Sequence, residues 1–243
     1  MTKKKHDNSR ILTISDKHLP YQHPDTVRFL RALKKRVKPT RVICVGDEVD
    51  YHAMSFHDSD PDLPSASGEL ALAIKNLQPL YKMFPDVDLV DSNHGSMVYR
   101  KGKHNGIPRK MLRDYGDILE SPPGWNWQNT LKVKLPNGQL LFVCHGMQKC
   151  GLKLAEKMGM CTLQGHYHTE FSIKYGSSPA QLFWSMQIGC LIDDDALAFH
   201  YNKVTAGRPV IGTGVIIDSH PYLVPMVLAK GGRWDGKIHL PVV

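Results

Sequence analysis

The stretch Arg10–His18, RILTISDKH, joins a run of aliphatic residues to a terminal Asp-Lys-His, and that junction decides how the rest of the chain reads. An apolar run of this length predicts a strand, and the polar triplet predicts a site at its end. The construction recurs in Arg41–Asp50, RVICVGDEVD, and in Asp86–His94, DVDLVDSNH. Two segments between them have helical period. One runs from about Pro24 to Val37, with Val27, Leu30, Leu33 and Val37 on one stripe; the other spans Ser67 to Phe84. Strand, helix, strand, helix is the order of an α/β domain, and such sheets place their sites at the carboxyl ends of strands.

Beyond Pro122 the texture changes to shorter strands. TLKVKLPNGQLLFVCHG (130–146) carries Pro136-Asn137-Gly138 between two apolar or alternating runs, a hairpin signal. QLFWSMQIGCLI, RPVIGTGVIIDS and YLVPMVLA continue the pattern toward the end. No Gly/Ser-rich linker or repeat divides the chain, so residues 1–243 read as a single domain of two packed β sheets flanked by helices. Residues 1–9 read as a flexible basic tail.

The chain has 243 residues, 42% hydrophobic and 22% charged, which disfavours fibrous, disordered and membrane-spanning classes. Its start, MTKKKHDNSR, has no apolar core behind the basic residues, so a cytoplasmic protein with neither signal nor anchor is expected. The five cysteines form no Cys-x-x-Cys pair and read as reduced thiols. More telling are the 13 histidines, because imidazole is a common metal ligand and proton carrier.

Five of the histidines fall in five polar clusters: Asp16-Lys17-His18, Gly46-Asp47-Glu48-Val49-Asp50, Asn93-His94, His145-Gly146 and Gly165-His166-Tyr167-His168. Carboxylate, amide and imidazole together form a mixed N/O donor set, suited to Mn²⁺, Zn²⁺, Fe or Ni²⁺ rather than to an all-oxygen calcium cage. Two metals about 3.5 Å apart need a bridging ligand, and a carboxylate such as Asp47 can bridge where imidazole cannot.

In order and spacing these clusters resemble the calcineurin-like metallophosphoesterases, whose pattern is D-x-H, G-D-x-x-D/N/H, G-N-H-D/E, H and G-H-x-H. The resemblance spans residues 10 to 168, about two thirds of the chain. It implies an α/β/β/α sandwich with two divalent ions, Mn²⁺ first, with Zn²⁺, Fe, Ni²⁺, Co²⁺ or Mg²⁺ as alternatives. By the same resemblance Asp16, His18 and His168 hold one ion, Asn93, His145 and His166 the other, Asp47 bridges, and His94 assists the leaving group. Compact phage and bacterial enzymes of this kind carry little beyond the catalytic domain, which implies a phage or bacterial source and, for a phage, the host cytoplasm.

Three positions depart from the family pattern. Gly95 replaces the acidic residue after the catalytic histidine, leaving Glu48, Asp50 or Asp91 to orient His94. Met97 stands where protein phosphatases of the family carry Arg, which weakens a phosphomonoesterase reading and leaves Arg100 as the nearest guanidinium. Ser92 replaces a glycine ahead of Asn93.

Substrate class has to come from outside the metal shell. From Arg100 to Arg113 the chain carries Arg100, Lys101, Lys103, Arg109, Lys110 and Arg113 with no carboxylate, and KKKH near the start adds three cations. Such a run beside a metal pair would hold a polyanion, with Arg100, Lys101, Lys103 and His52 as candidate substrate contacts. Tyr99, Tyr115, Trp125 and Trp127 are candidates either for stacking bases or for anchoring a loop in the core. His57 joins His52 as a phosphate or loop residue, and HDSDPDLPS (57–65) reads as an exposed loop. His23, His200, His220 and His239 read as ordinary surface or core residues. The expected activity is hydrolysis of phosphodiesters in nucleic acid or nucleotides, with no membrane and no obligate protein partner. Two alternatives stay open: a phosphomonoesterase for phosphoprotein or metabolite, and a non-catalytic nucleic-acid-binding module with a structural metal.

Overall fold

A computed structural model describes residues 7–56, 60–196, 198 and 207–241; Lys3, Lys4, Lys5, His57 and His200 lie outside them. Along the chain come β1 (Arg10–Ile14), α1 (Thr26–Val37), β2 (Arg41–Cys44), α2 (Ala66–Met83), β3 (Val87–Val90), α3 (Met97–His104), α4 (Tyr115–Ile118) and β4 (Trp125–Gln128). The second half adds β5 (Leu131–Lys134), β6 (Leu140–Val143), α5 (Gly151–Met158), β7 (Cys161–Gln164), β8 (Phe171–Ser177), β9 (Leu182–Ile188), β10 (Gly212–Ile217) and β11 (His220–Pro225).

These strands form two mixed sheets. The first has the order β11-β10-β1-β2-β3-β4, with β1 to β4 parallel and β10 and β11 antiparallel. The second has the order β5-β6-β7-β9-β8. The expected Pro-Asn-Gly hairpin is present, pairing Leu131 with Val143 and Lys134 with Leu140.

Neighbouring residues of β1 and β2 serve different layers because side chains alternate across a strand. Ile11, Ile43 and Val45 point between the sheets and pack with Val133, Leu141, Leu163, Met186 and Ile216. Leu12, Val42 and Cys44 point outward to a second core under α1 and α2, with Phe29, Leu30, Leu33 and Leu77. A strand buried on both faces reads as an unbroken apolar run, which is the pattern seen in RILTI and RVIC. Cys44, Cys144, Cys161 and Cys190 are buried and all five cysteines are free thiols, as expected.

Trp125 is a core residue. Its ring edge meets Tyr81 at 4.8 Å and its Nε1–H donates to the Phe84 carbonyl at 2.8 Å. Trp127 packs edge-on against Tyr115 at 5.3 Å, so the WNW segment anchors β4 rather than offering rings to a ligand. No helix among the described residues is long and apolar enough to cross a membrane.

Candidate metal centre

Each strand that predicts a site is shorter than its stretch of sequence: β1, β2 and β3 stop at Ile14, Cys44 and Val90, and the polar clusters occupy the loops that follow. The loops are sharply bent. Nine non-glycine described residues have positive φ, and four of them are Asp16 (46°), His18 (47°), Asp47 (50°) and His166 (67°). Each such residue costs about 1–3 kcal/mol and persists only where the surroundings over-determine it, so the strain is concentrated at the predicted site.

Backbone bonds lock the first two loops together: Asp16 N–H donates to Gly46 O at 3.1 Å and Lys17 N–H to Asp47 O at 2.9 Å. Gly46 (φ 101°) has no room for a side chain, since a Cβ would sit 2.6 Å from Ser92 and 2.8 Å from His145 Nδ1. Ser92, in place of a glycine, ties the second loop to the third: its Oγ accepts N–H bonds from Asp47 and Gly95, both at 3.0 Å.

Hydrogen bonds also fix which nitrogen each histidine turns inward. His145 Nδ1 donates to the Val45 carbonyl at 2.7 Å, leaving Nε2 to face Asp47 Oδ2 at 3.0 Å. His18 Nδ1 bonds Asp50 Oδ1 at 2.6 Å, leaving Nε2 at 3.5 Å from Asp47 Oδ2 and 3.8 Å from Asp16 Oδ1. His168 Nε2 lies 3.1 Å from Asp16 Oδ1. Engaging one ring nitrogen outside so that the other points in is the usual arrangement around a metal-binding histidine. Donor atoms of Asp16, His18 and His168 gather within 4.8 Å of one another, as do those of Asp47, His145 and His166 and those of His18, Asp50 and His94. The buried Asn93 Oδ1 makes no hydrogen bond among the described residues. A buried acceptor without a donor is costly, and a cation removes that cost. These clusters are capable of holding two metal ions.

The electrostatics agree. Burial would raise the Asp16 carboxyl, yet hydrogen bonds from His168 and His18 outweigh it and hold the group well below the usual carboxylate range. Asp47 is lowered against its burial by His145 and His94. Burial disfavours charge on His18, but Asp16 and Asp50 raise it to about 10, and Asp47 raises His145 to about 9. Buried carboxylates set the field here, and it attracts positive charge.

His94 lines a cavity of about 760 Å³ together with His18, Asp47, Asn93 and His168. Among the three acids left open to orient it, Asp50 does so: its carbonyl accepts from His94 Nδ1 and its Oδ1 lies 3.7 Å away. Glu48 is turned elsewhere, accepting from Cys44 Sγ–H at 3.0 Å and Tyr115 O–H at 3.3 Å, while Asp91 is exposed. Gly95 is also tightly enclosed, since a Cβ there would lie 3.0 Å from Ser92 Oγ and 3.2 Å from the Tyr115 ring.

Of the candidate substrate contacts, Arg100 and His52 line the cavity and Lys101 and Lys103 do not. Arg100 Nη1 donates to the Asn93 carbonyl at 3.3 Å, and His52 Nε2 is occupied by the Asp60 N–H at 3.0 Å. Met97 is buried on the same wall, one helical turn before Arg100. Several residues around this site escaped sequence reasoning, Arg208 and Lys17 among them. Arg208 reaches the cavity because Val210 N–H bonds the His168 carbonyl at 2.8 Å, a pairing that nothing local announces. Lys17 is only 1% exposed, with Nζ 3.0 Å from Cys44 Sγ, and its neighbour Cys44 bonds Glu48, so a buried polar chain runs beneath the loops.

No protein-family model matches the chain, and no curated protein matches it. Solved structures do. The structure is similar to the phosphoesterase Yfce from E. coli, with TM-score 0.51 and 16% identity over 95% of this chain and 97% of that one. It is similar to Vacuolar Protein Sorting 29 from Cryptosporidium parvum, with TM-score 0.50 and 13% identity over 95% of this chain and 94% of that one. The fold, two mixed sheets flanked by helices in an α/β/β/α sandwich, is the one these structures share. At these identities the likeness is one of fold, so what the site does rests on its own chemistry.

Proposed function

We propose that this protein is a binuclear-metal phosphodiesterase acting on nucleic acid or nucleotides. The observation that carries the reading is the pair of acid–histidine groups, Asp16–His18–His168 and Asp47–His145–His166, opening with Asn93 and His94 onto one cavity. Asp16, His18 and His168 would hold one divalent ion and Asn93, His145 and His166 the other, with Asp47 shared; Mn²⁺ suits the mixed donor set. Two ions held by these residues would supply activation of water and neutralisation of the phosphoryl oxygens, which is what an anionic ester needs for attack by an anionic oxygen.

The chain's own groups then divide the work. Asp47 Oδ1 accepts the His94 N–H at 3.2 Å, so the residue that would be shared between the ions also positions the backbone of the proposed acid. His94 commits Nδ1 to the Asp50 carbonyl, which leaves Nε2 to give a proton to the departing oxygen. Arg100, which lines the cavity and donates to the Asn93 carbonyl, would meet phosphate charge. Met97 supplies no guanidinium beside His94, which supports a diester over a dianionic monoester. The phosphoesterase named among the fold neighbours belongs to the same reaction class.

The test is turnover of the purified, metal-reconstituted protein on a simple diester and a simple monoester. Metal-dependent diester hydrolysis is expected, lowered about a hundredfold or more in His94→Gln and in Asp47→Asn. Turnover that survives chelation, or equal rates on the two esters, would sink the reading.

A further inference from the structure

The rings that the sequence offers for base stacking do not line the cavity: Trp125 is buried, Tyr115 and Trp127 pack on each other, and Tyr99, though exposed, carries Arg109 over its ring. A different aromatic does. Phe56, 49% exposed, lines the cavity beside Met97 and Arg100. Arg100 Cζ lies 5.1 Å from its ring centroid, Lys101 Nζ 4.1 Å, and the His104 ring meets it edge-on at 6.3 Å.

We propose that Phe56, flanked by Arg100 and Lys101, is the nucleobase subsite of the phosphodiesterase, so that the substrate is a base-bearing phosphodiester; this rests on the hydrolase reading above. Cation–π contacts account for where the ring is held. They do not account for a phenylalanine left half exposed in a cavity lined mostly by Asp, His, Asn and Arg. A planar base would cover that ring while gaining stacking, and it would stand next to cations able to meet the adjoining phosphates. The order of groups along the wall matches the order in a nucleotide. Arg100 contacts both the Asn93 carbonyl, at the proposed metal pair, and the Phe56 ring, so a phosphodiester held at the metals would carry its neighbouring base on the Phe56 side. An ester without a ring has nothing to put there. Lys101, which does not line the cavity itself, acquires a role as the cation over Phe56.

The experiment compares a dithymidine monophosphate with glycerophosphoethanolamine, a diester lacking any ring, on metal-reconstituted wild type, Phe56→Ala and Phe56→Trp. Equilibrium binding of the dinucleotide is measured alongside. Stacking of one base predicts that Phe56→Ala lowers the kcat/KM ratio of dinucleotide to ringless ester about tenfold, through KM, and weakens dinucleotide binding by a similar factor. Phe56→Trp should retain both. Unchanged melting of Phe56→Ala is expected for so exposed a side chain and separates loss of stacking from loss of fold. An unchanged ratio and unchanged binding in Phe56→Ala overturn the base subsite while leaving the hydrolase standing. Weakened binding with no turnover of either ester by the wild type keeps the base subsite and removes the hydrolase.

Discussion

Lys17 shows how much of this site depends on groups that never face the cavity. Burial opposes its charge, but Cys44 and Glu48 raise it above the ordinary lysine range, so the ammonium stays charged inside the protein. Burial pushes the Cys44 thiol up to about 12, so the sulfur between them remains a neutral thiol that accepts from Lys17 and donates to Glu48. Removing one member of a buried charge pair leaves the other uncompensated, whereas removing both is much milder. Lys17→Met is therefore expected to cost about 3 kcal/mol. The double variant Lys17→Met with Glu48→Gln should recover most of it in denaturant unfolding. A double variant as unstable as the two singles added together would refute the pairing. Asp50 acts through others in the same way, fixing His18 by its carboxylate and His94 by its carbonyl. Losing such a support costs a metal site about 10–100-fold in affinity, so Asp50→Ala should weaken Mn²⁺ binding by that order in a calorimetric titration. The sequence left Asp50 as one of three acids for this task. Choosing among them needed the direction of each side chain, which spacing does not contain.

Among the elements, strands and long helices were legible and their connections less so. Apolar runs predict β1, β2 and β3, and the predicted helices, Pro24 to Val37 and Ser67 to Phe84, fall within two residues of α1 and α2. Pro79 sits inside α2, and the Ser65 hydroxyl caps that helix by accepting the Gly68 N–H at 3.3 Å. The helix α1 is held differently: Asp25 precedes it without a side-chain cap, because its carboxylate is taken by Arg233, at 2.7 Å to Nε and 2.7 Å to Nη2, and by the Trp234 N–H at 3.0 Å. His23, read as an ordinary residue, adds a bond from Nε2 to the Gly232 carbonyl at 2.9 Å. A pairing across some two hundred residues has no local signal, and the strand pattern of the sequence ends at the YLVPMVLA run that precedes this segment. Arg233 lowers Asp25 against its burial, aided by Trp234. A carboxyl lowered in the folded state adds stability that is present above its unfolded value, near 3.9, and is lost as pH falls through the folded value. Asp25→Asn should thus cost about 1–2 kcal/mol at pH 7, Arg233 being largely solvated. The gap from wild type should close as pH drops below about 4. A gap that persists unchanged in acid would show that the carboxylate charge is not what holds the segment.

At the scale of the whole molecule, the two sheets bring loops from both halves to one end, so that Asp16, Asp47 and Asn93 of the first sheet meet His145, His166 and His168 of the second. The order of motifs made this meeting legible in the sequence; the cavity walls were not, because Arg208 and Phe56 belong to no motif. The basic run begins at this end, where Arg100 lines the cavity. The net charge of +8 includes the six cations between Arg100 and Arg113, carried on α3 and the turn after it, and Arg100, Lys103, Arg109, Lys110 and Arg113 are exposed. Arg109 rests on Tyr99 with Cζ 5.3 Å from the ring centroid, which holds one of those charges at the surface. If this face carries the backbone of a polymer away from the cavity, every cation that meets a phosphate releases counterions. The slope of log affinity against log salt then steepens by about 0.7 per single-strand contact and about 0.9 per duplex contact. A dinucleotide has no phosphates beyond the cavity to make those contacts. Raising salt from 50 to 200 mM should therefore lower kcat/KM for an oligonucleotide of about ten residues far more than for the dinucleotide. Replacing Lys103, Arg109 and Lys110 together by Gln should flatten the oligonucleotide slope by about two to three units while leaving the dinucleotide rate within about twofold. Identical salt slopes for the two substrates would mean that the basic run is only a solvated surface, and that the natural ester is no longer than the cavity that holds it.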